Sequence, residues 1–264
     1  MQETLDQVVA IVKEVGAFQL LHFRKNLKGS GEEKVTNEYV SFVDIESEKK
    51  LRAKLIPLVP GSGFYGEETE VARADVEWIV DPIDGTTNYL SGLSLFTISV
   101  ALYKNGKAQL AVVYQPTTGD LYSSIRSEGL YFNTEKYPKV SATLELQEAL
   151  VGSGFPYRSK DLQDSFFPAC RKVLNSCRGI RRMGSAALDL SSLSAGFIQG
   201  FWESDLQPYD IASALLFLEE TGVKVTNQFG KPYNIEKDRI LVAGFPTVHH
   251  QLLTIINQFY NNEK

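Results

Sequence analysis

Two β-rich runs, Phe96-Thr97-Ile98-Ser99-Val100-Ala101-Leu102-Tyr103 and Ala108-Gln109-Leu110-Ala111-Val112-Val113-Tyr114, are separated by little more than Asn105-Gly106, and this limits the fold more than any other feature. Asn-Gly between such runs is a hairpin signal, because both residues tolerate the left-handed backbone of a tight turn. Strands joined this closely must run antiparallel. Two more β-rich runs precede them, Gly63-Phe64-Tyr65 and Glu77-Trp78-Ile79-Val80. Earlier still the apolar period is helical. Leu5, Val8, Val9, Val12 and Val15 mark an amphipathic first helix reaching towards Phe23; Ile45, Leu51, Leu55 and Leu58 mark a second after Asp44, limited by Pro57 and Pro60.

From about Ala149 the pattern alternates. Strands are expected over 149–153, 179–182 and 197–202, and helices over 162–174, 185–193, 208–221 and 247–259, which describes an α/β second half. The seam falls between Lys136 and Gln147, where turn chemistry has no strong period, and we place the boundary so that 1–142 is an α+β half and 143–264 an α/β half. A cleft between the halves is the default site. With 264 residues, 43% of them hydrophobic, the chain can bury a substantial core.

The formal net charge of -5 argues against the extended basic surface that nucleic-acid binding needs, so no nucleic-acid partner is expected. A small anionic substrate must then be held by metal ions or by a local pocket. Met1 to Leu5 carry no basic segment ahead of an apolar run, and no apolar stretch approaches the roughly 18 residues of a membrane span, so a cytoplasmic protein without a membrane partner is expected. Cys170 and Cys177 read as one helix face about two turns apart, too far to bridge, which suits a reducing compartment. His22, His249 and His250 stand away from any acidic cluster and read as surface or packed residues.

Two of the β-rich runs end in acids. Tyr65-Gly66 runs into Glu67-Glu68, and Ile79-Val80 runs into Asp81, with Asp84 three residues on. Carboxylates gathered at strand ends repel one another unless a cation joins them. Oxygen ligands without nearby Cys or His favour magnesium over zinc. Pro82 fixes the chain after the strand, Gly85 permits a tight turn, and Thr86 or Thr87 can cap a following helix whose free N–H groups face an anion. Alone, this spacing also suits a capped turn with ordinary surface acids.

The segment Asp81-Pro82-Ile83-Asp84-Gly85-Thr86-Thr87-Asn88 resembles the signature of the inositol monophosphatase family, with Gly66-Glu67-Glu68 upstream where that family has Gly-Glu-Glu. A third segment fits as Tyr209-Asp210-Ile211-Ala212-Ser213-Ala214 followed by Glu220 and Gly222, with Tyr209 where Trp is more usual; the family's Thr-x-x-Asp stands here as Ser41-Phe42-Val43-Asp44. The resemblance implies an αβαβα layered sandwich of the sugar-phosphatase type, with an N-terminal antiparallel sheet and a C-terminal mixed sheet.

It also implies a mechanism. One magnesium ion would be held by Glu67, Asp81 and the Ile83 carbonyl, a second by Asp81, Asp84 and Asp210, and a third, weaker ion near Glu67. Thr86, hydrogen-bonded to Asp44, would position the attacking water, and the Gly85 and Thr86 amides would hold phosphate oxygens. Gly184, Ser185, Ala186 and Glu203 would line the alcohol end of the pocket. Arg158 and Lys160 read as surface charges, either of which could meet a second phosphate. The implied activity is hydrolysis of inositol monophosphate or a similar polyol phosphate, inhibited by lithium, in a homodimer. The competing readings are a bisphosphatase or nucleotide phosphatase acting on fructose 1,6-bisphosphate, 3'-phosphoadenosine 5'-phosphate or NADP 2'-phosphate, or a regulatory protein with RNA or transcription partners.

Overall fold

A computed structural model describes residues 1–25, 31–35, 38–69, 74–140 and 143–261, with the backbone alone for 31–35 and 38–41. Helix α1 (Gln2–His22) turns Leu5, Val8, Val12 and Val15 inward, as their spacing requires. A ribbon of β1 (Gly31–Val35) and β2 (Glu38–Ser41) leads into α2 (Phe42–Leu55). The seven-stranded sheet follows in spatial order β3 (Gly63–Gly66), β4 (Val76–Asp84), β5 (Thr97–Lys104), β6 (Lys107–Gln115), β7 (Asp120–Ile125), β8 (Gly129–Phe132) and β9 (Glu135–Lys136), with the short helix α3 (Thr86–Leu90) after β4. The second half contains β10 (Leu150–Ser153), α4 (Gln163–Leu174), β11 (Gly179–Arg181), α5 (Ala186–Ser194), β12 (Gly200–Ser204), α6 (Pro208–Thr221), β13 (Lys224–Thr226), β14 (Ile240–Gly244) and α7 (Pro246–Phe259). Its five-stranded sheet runs β11-β10-β12-β14-β13 and is mixed.

The layers follow from which faces must be covered. Along β4, Trp78 and Val80 face α1 and α2, while Ile79 faces the core shared with the second sheet; in β6, Leu110 and Val112 alternate in the same way with Ala111 and Val113. Both faces of the large sheet are therefore apolar and both are covered, by α1 and α2 on one side and by α5 and α6 on the other. Helices α4 and α7 close the far side of the smaller sheet, completing the αβαβα stack. The β5–β6 turn is left-handed at Asn105 (φ 51) and Gly106 (φ 72), the backbone that an Asn-Gly hairpin turn needs.

Several details differ from the sequence reading. β3 pairs parallel to β4, so the large sheet is antiparallel except at that edge. Helix α2 begins at Phe42 rather than after Asp44, which puts Asp44 in its first turn; Ile45 is exposed, and Leu58 belongs to a separate 3-10 turn, Ile56–Leu58, formed where Pro57 stops the helix. Cys170 lies on α4 but Cys177 lies beyond its end, so the two do not share a helix face; both are free thiols whose pKa is pushed up by burial. His249 is buried with Nε2 2.9 Å from the Thr226 hydroxyl, and His250 is exposed. The Ser41 side chain and the two residues 141–142, on which part of the seam reading rests, lie outside what is described.

Candidate metal and phosphate site

A regular strand would point Asp81 and Asp84 to opposite faces, since side chains alternate. Here Asp81 pairs with Ser99 and Asp84 with Thr97, three steps along β4 against two along β5. The extra residue is a bulge that turns both acids the same way, and Pro82, which has no N–H for the ladder, sits within it. The strand thus continues through Pro82 instead of ending before it. Asp210 arrives on the first turn of α6, where Pro208 starts the helix and the Gln207 N–H donates to Asp210 Oδ2 at 2.7 Å. Carboxylate oxygens of Asp81, Asp84 and Asp210 lie within 4.8 Å of one another.

Gly85 adopts φ 99, and a Cβ there would stand 2.9 Å from the Leu95 carbonyl oxygen and 3.1 Å from that of Gly184, so only glycine fits between them. Gly85 is itself the N-cap of α3. The expected threonine cap is not formed. Thr86 is the first helical residue, and its hydroxyl turns back to Asp44 Oδ1 at 3.1 Å and the Ile83 carbonyl at 3.0 Å. Two contacts bind this region to the second half of the chain. Asp84 Oδ2 accepts from the Ser185 hydroxyl and the Ala187 N–H, each at 2.6 Å; Asn88 Nδ2 donates to the Leu95 carbonyl at 2.6 Å and the Met183 carbonyl at 2.8 Å.

Every residue singled out in the sequence as a site residue lines one cavity of about 500 Å³, except Asp44, which is buried behind Thr86. Glu68 is not in the lining; its N–H is held by Glu48 at 2.7 Å. Tyr209 packs edge-on against Tyr65, with centroids 6.1 Å apart, and Glu220 is spent far from the cavity on the N–H groups of Ser127 and Gly129. Arg158, read as a surface charge able to meet a phosphate, is exposed and also lines the cavity, with Nη1 3.9 Å from Asp210; Lys160 is exposed and is not in the lining. Sequence reasoning missed Asp189 and Arg182, which also line it, and the bridging role of Asn88. Asp189 shares the helix whose first turn holds Ala186, and that was the available signal.

The acids resist ionisation together. Burial pushes the Glu67 carboxyl up to about 9, helped by the charges of Asp210, Asp44 and Glu68. Burial and the same crowding hold Asp81 well above the carboxylate range; Asp84 is also raised by burial, against the opposing pull of its Ser185 and Ala187 hydrogen bonds. Glu203 reaches about 8, through burial first and then the Asp210 charge. Desolvated, mutually repelling oxygen donors with no Cys or His among the clustered three fit a hard divalent cation.

The sequence profile described as the inositol monophosphatase family matches residues 1–261. The chain belongs to the inositol monophosphatase family. An inositol-1-monophosphatase from Mesorhizobium japonicum is 34% identical over 243 residues, covering 91% of this chain and 88% of the relative. The Nus factor SuhB of Escherichia coli K12 is 32% identical over 224 residues, covering 84% and 83%. Among solved structures, an IMPase from Thermotoga maritima superposes with a TM-score of 0.89 at 27% identity, covering 99% of both chains. As an inositol monophosphatase family member, the protein is a metal-dependent phosphomonoesterase with the sugar-phosphatase fold.

Proposed function

We propose that the protein hydrolyses inositol monophosphate or a closely similar polyol phosphate with magnesium as its metal, through two ions and a third, weaker one. The observation that carries this reading is the oxygen cluster of Asp81, Asp84 and Asp210 beside Glu67 in one cavity with Glu203. Glu67, Asp81 and the Ile83 carbonyl would hold one ion, Asp81, Asp84 and Asp210 the second. Bound there, magnesium supplies Lewis acidity to the phosphoryl group and lowers the pKa of a coordinated water.

The chain's own groups do the rest. Thr86 holds its hydroxyl against Asp44, so a proton taken from the attacking water can pass to a buried carboxylate. The backbone amides of Gly85 and Thr86 sit at the start of α3, facing where phosphate oxygens would rest. Water oxygen bonds to phosphorus as its proton passes towards Asp44, the ester P–O bond breaks, and the departing alkoxide takes up a proton from solvent. The Gly184-Ser185-Ala186 turn is fixed by Asp84 and Asn88 and walls the alcohol end, where Glu203 accepts a hydroxyl. In this division of labour, 1–142 contributes most metal ligands, and 143–264 contributes Asp210 and the alcohol pocket.

A cytoplasmic homodimer inhibited by lithium completes the proposal, on the family resemblance. The Escherichia coli relative carries the name Nus factor; for this chain, the clustered acids with Thr86 and Asp44 favour catalysis. Phosphate release over a panel of inositol monophosphates, sugar bisphosphates and nucleotides, with magnesium and then with a chelator, tests the reading. Magnesium-dependent release greatest with inositol monophosphate supports it; a stronger preference for nucleotides, or no release, overturns it.

A further inference from the structure

Gln19 lies in the last turn of α1 with no exposed surface, and both N–H groups of its side-chain amide are spent on other elements. Nε2 donates to the Pro82 carbonyl at 2.8 Å and to the Ser47 hydroxyl of α2 at 3.2 Å. The bulge accounts for the first of these. With the register against β5 broken between Asp81 and Asp84, the carbonyl of buried Pro82 takes its donor from another layer. The orientation of the amide follows, because turning it over would set its oxygen against that carbonyl. Held this way, Gln19 Oε1 has no partner among the described residues. A buried acceptor left unpaired is unfavourable, and an apolar side chain of the same length would fill the space without that cost. Packing alone therefore does not account for an amide here.

What the amide holds is one end of a peptide unit whose other end meets Asp81. Pro82 supplies the carbonyl and Ile83 the N–H, which donates to Asp81 Oδ1 at 3.0 Å. Hydrogen bonds arranged head to tail through an amide polarise one another, so the donation from Gln19 strengthens the bond from Ile83 to Asp81. The same peptide sets the direction of the next carbonyl, that of Ile83, which the Thr86 hydroxyl meets at 3.0 Å. A second link uses the backbone of α1: the Tyr89 hydroxyl donates to the Gln19 carbonyl at 2.8 Å, which ties down α3 just beyond Thr86. Gln19 thus clamps the Asp81–Thr86 segment on both sides from outside the cavity lining.

We infer that Gln19 is a positioning residue for the metal site, its amide fixing the Pro82–Ile83 peptide and, through it, Asp81 Oδ1 and the Ile83 carbonyl in the orientation that binds the cation. This rests on the ligand assignment proposed above and adds to it a residue from a helix that contributes nothing to the cavity wall. Magnesium calorimetry on the substrate-free protein, with the magnesium dependence of phosphate release from inositol 1-phosphate, compares wild type, Gln19→Met and Ser47→Ala. Methionine keeps the length and loses both donors. Alanine at position 47 removes the other partner of the same amide and leaves the Pro82 contact whole.

Gln19→Met should weaken magnesium binding about tenfold, the low end for a group that orients a metal ligand, and raise the magnesium needed for half-maximal rate to match, with kcat at saturating magnesium little changed. Ser47→Ala should keep the wild-type affinity, and melting temperature checks the fold of each. Unchanged affinity in Gln19→Met, or an equal loss in Ser47→Ala, overturns the inference. So does a fall in kcat that magnesium does not repair. Gln19→Leu serves as a second variant, and failure of both to fold would overturn the inference by assigning Gln19 to the fold alone. Wild type that binds no magnesium sinks the ligand assignment as well, whereas wild-type binding that Gln19→Met leaves untouched sinks the inference by itself.

Discussion

The hydroxyl of Thr86 lies 3.1 Å from a carboxylate oxygen of Asp44, although the two residues are 42 positions apart in sequence. Asp44 is 1% exposed, so this hydroxyl is its link to the cavity. Thr86→Ala should therefore lower kcat by about 100- to 10,000-fold, the range typical of a lost proton acceptor, with KM changing little. Thr86→Ser keeps the oxygen and should retain most of the rate. Steady-state kinetics at saturating magnesium decide; a Thr86→Ala enzyme within a few-fold of wild type would remove Thr86 from the mechanism.

Asp84→Asn and Asp210→Asn should each abolish nearly all turnover while leaving the fold intact. Each variant keeps an oxygen able to accept the existing hydrogen bonds, from Ser185 and Ala187 in one case and from the Gln207 N–H in the other. Removing one charge from a crowded set also relieves repulsion. Melting temperature should hold or rise, and calorimetry should show weakened magnesium binding. Near-normal turnover at limiting magnesium in either variant would contradict the ligand assignment.

Metal binding and stability should depend on pH together. Glu67 holds its proton up to about 9 without a cation, so the folded state binds more protons than the unfolded chain between the ordinary carboxylate range and that value. The contribution of Glu67 to stability is thus full below the unfolded pKa and lost as pH rises through about 9. Magnesium must displace such protons, so its affinity should increase over the same window. Calorimetry in buffers of different ionisation enthalpy should detect protons released on binding. No proton release at pH 7 would show that the acids are already ionised.

His249 gives the opposite sign. Burial, with smaller contributions from His250 and Lys224, depresses its pKa to about 4. Its neutral form belongs to the fold, so its contribution to stability is present above the usual value near 6.5 and is lost as pH falls through about 4. Denaturation of wild type and His249→Gln between these limits should show a flatter pH dependence in the variant. Parallel curves would mean that the imidazole titrates normally.

Above pH 8, where the Glu203 carboxyl is ionised, Glu203→Gln should impair polyol phosphates about ten- to a hundredfold in kcat/KM and an aryl phosphate much less, because a hydrogen bond to a charged acceptor is lost at the alcohol end alone. Gly154→Ala offers an independent check, since a Cβ there would overlap the Glu203 carboxylate and force it to move. It should reproduce the same selective loss. Equal losses on both substrate types would assign Glu203 to the metal cluster or to the fold.

The layers of the fold were legible because period and turn chemistry agree: α1, the β5–β6 hairpin and α6, which starts at Pro208, stand where the pattern puts them. The strands β7, β8 and β13 escaped because they are short or carry polar residues such as Asp120, Ser123 and Ser124, whose pairing depends on distant neighbours, while β14, a buried apolar run, was passed over. For the site, Glu67, Asp81 and Asp84 announce themselves as acids at strand ends. Arg182 and Asp189 do not. A lone arginine beside another arginine, or an aspartate within a helix, carries no local sign of the cavity into which the chain folds it.

One oxygen of Asp84 is shared by β4 and the N-terminal turn of α5, through Ser185 and Ala187. Chemistry and cohesion therefore meet in a single functional group, the charge serving one and the acceptor oxygen the other. A replacement that cannot accept these two hydrogen bonds, such as Asp84→Ala, loses the join between the two sheets as well as the activity, whereas Asn gives up the charge alone.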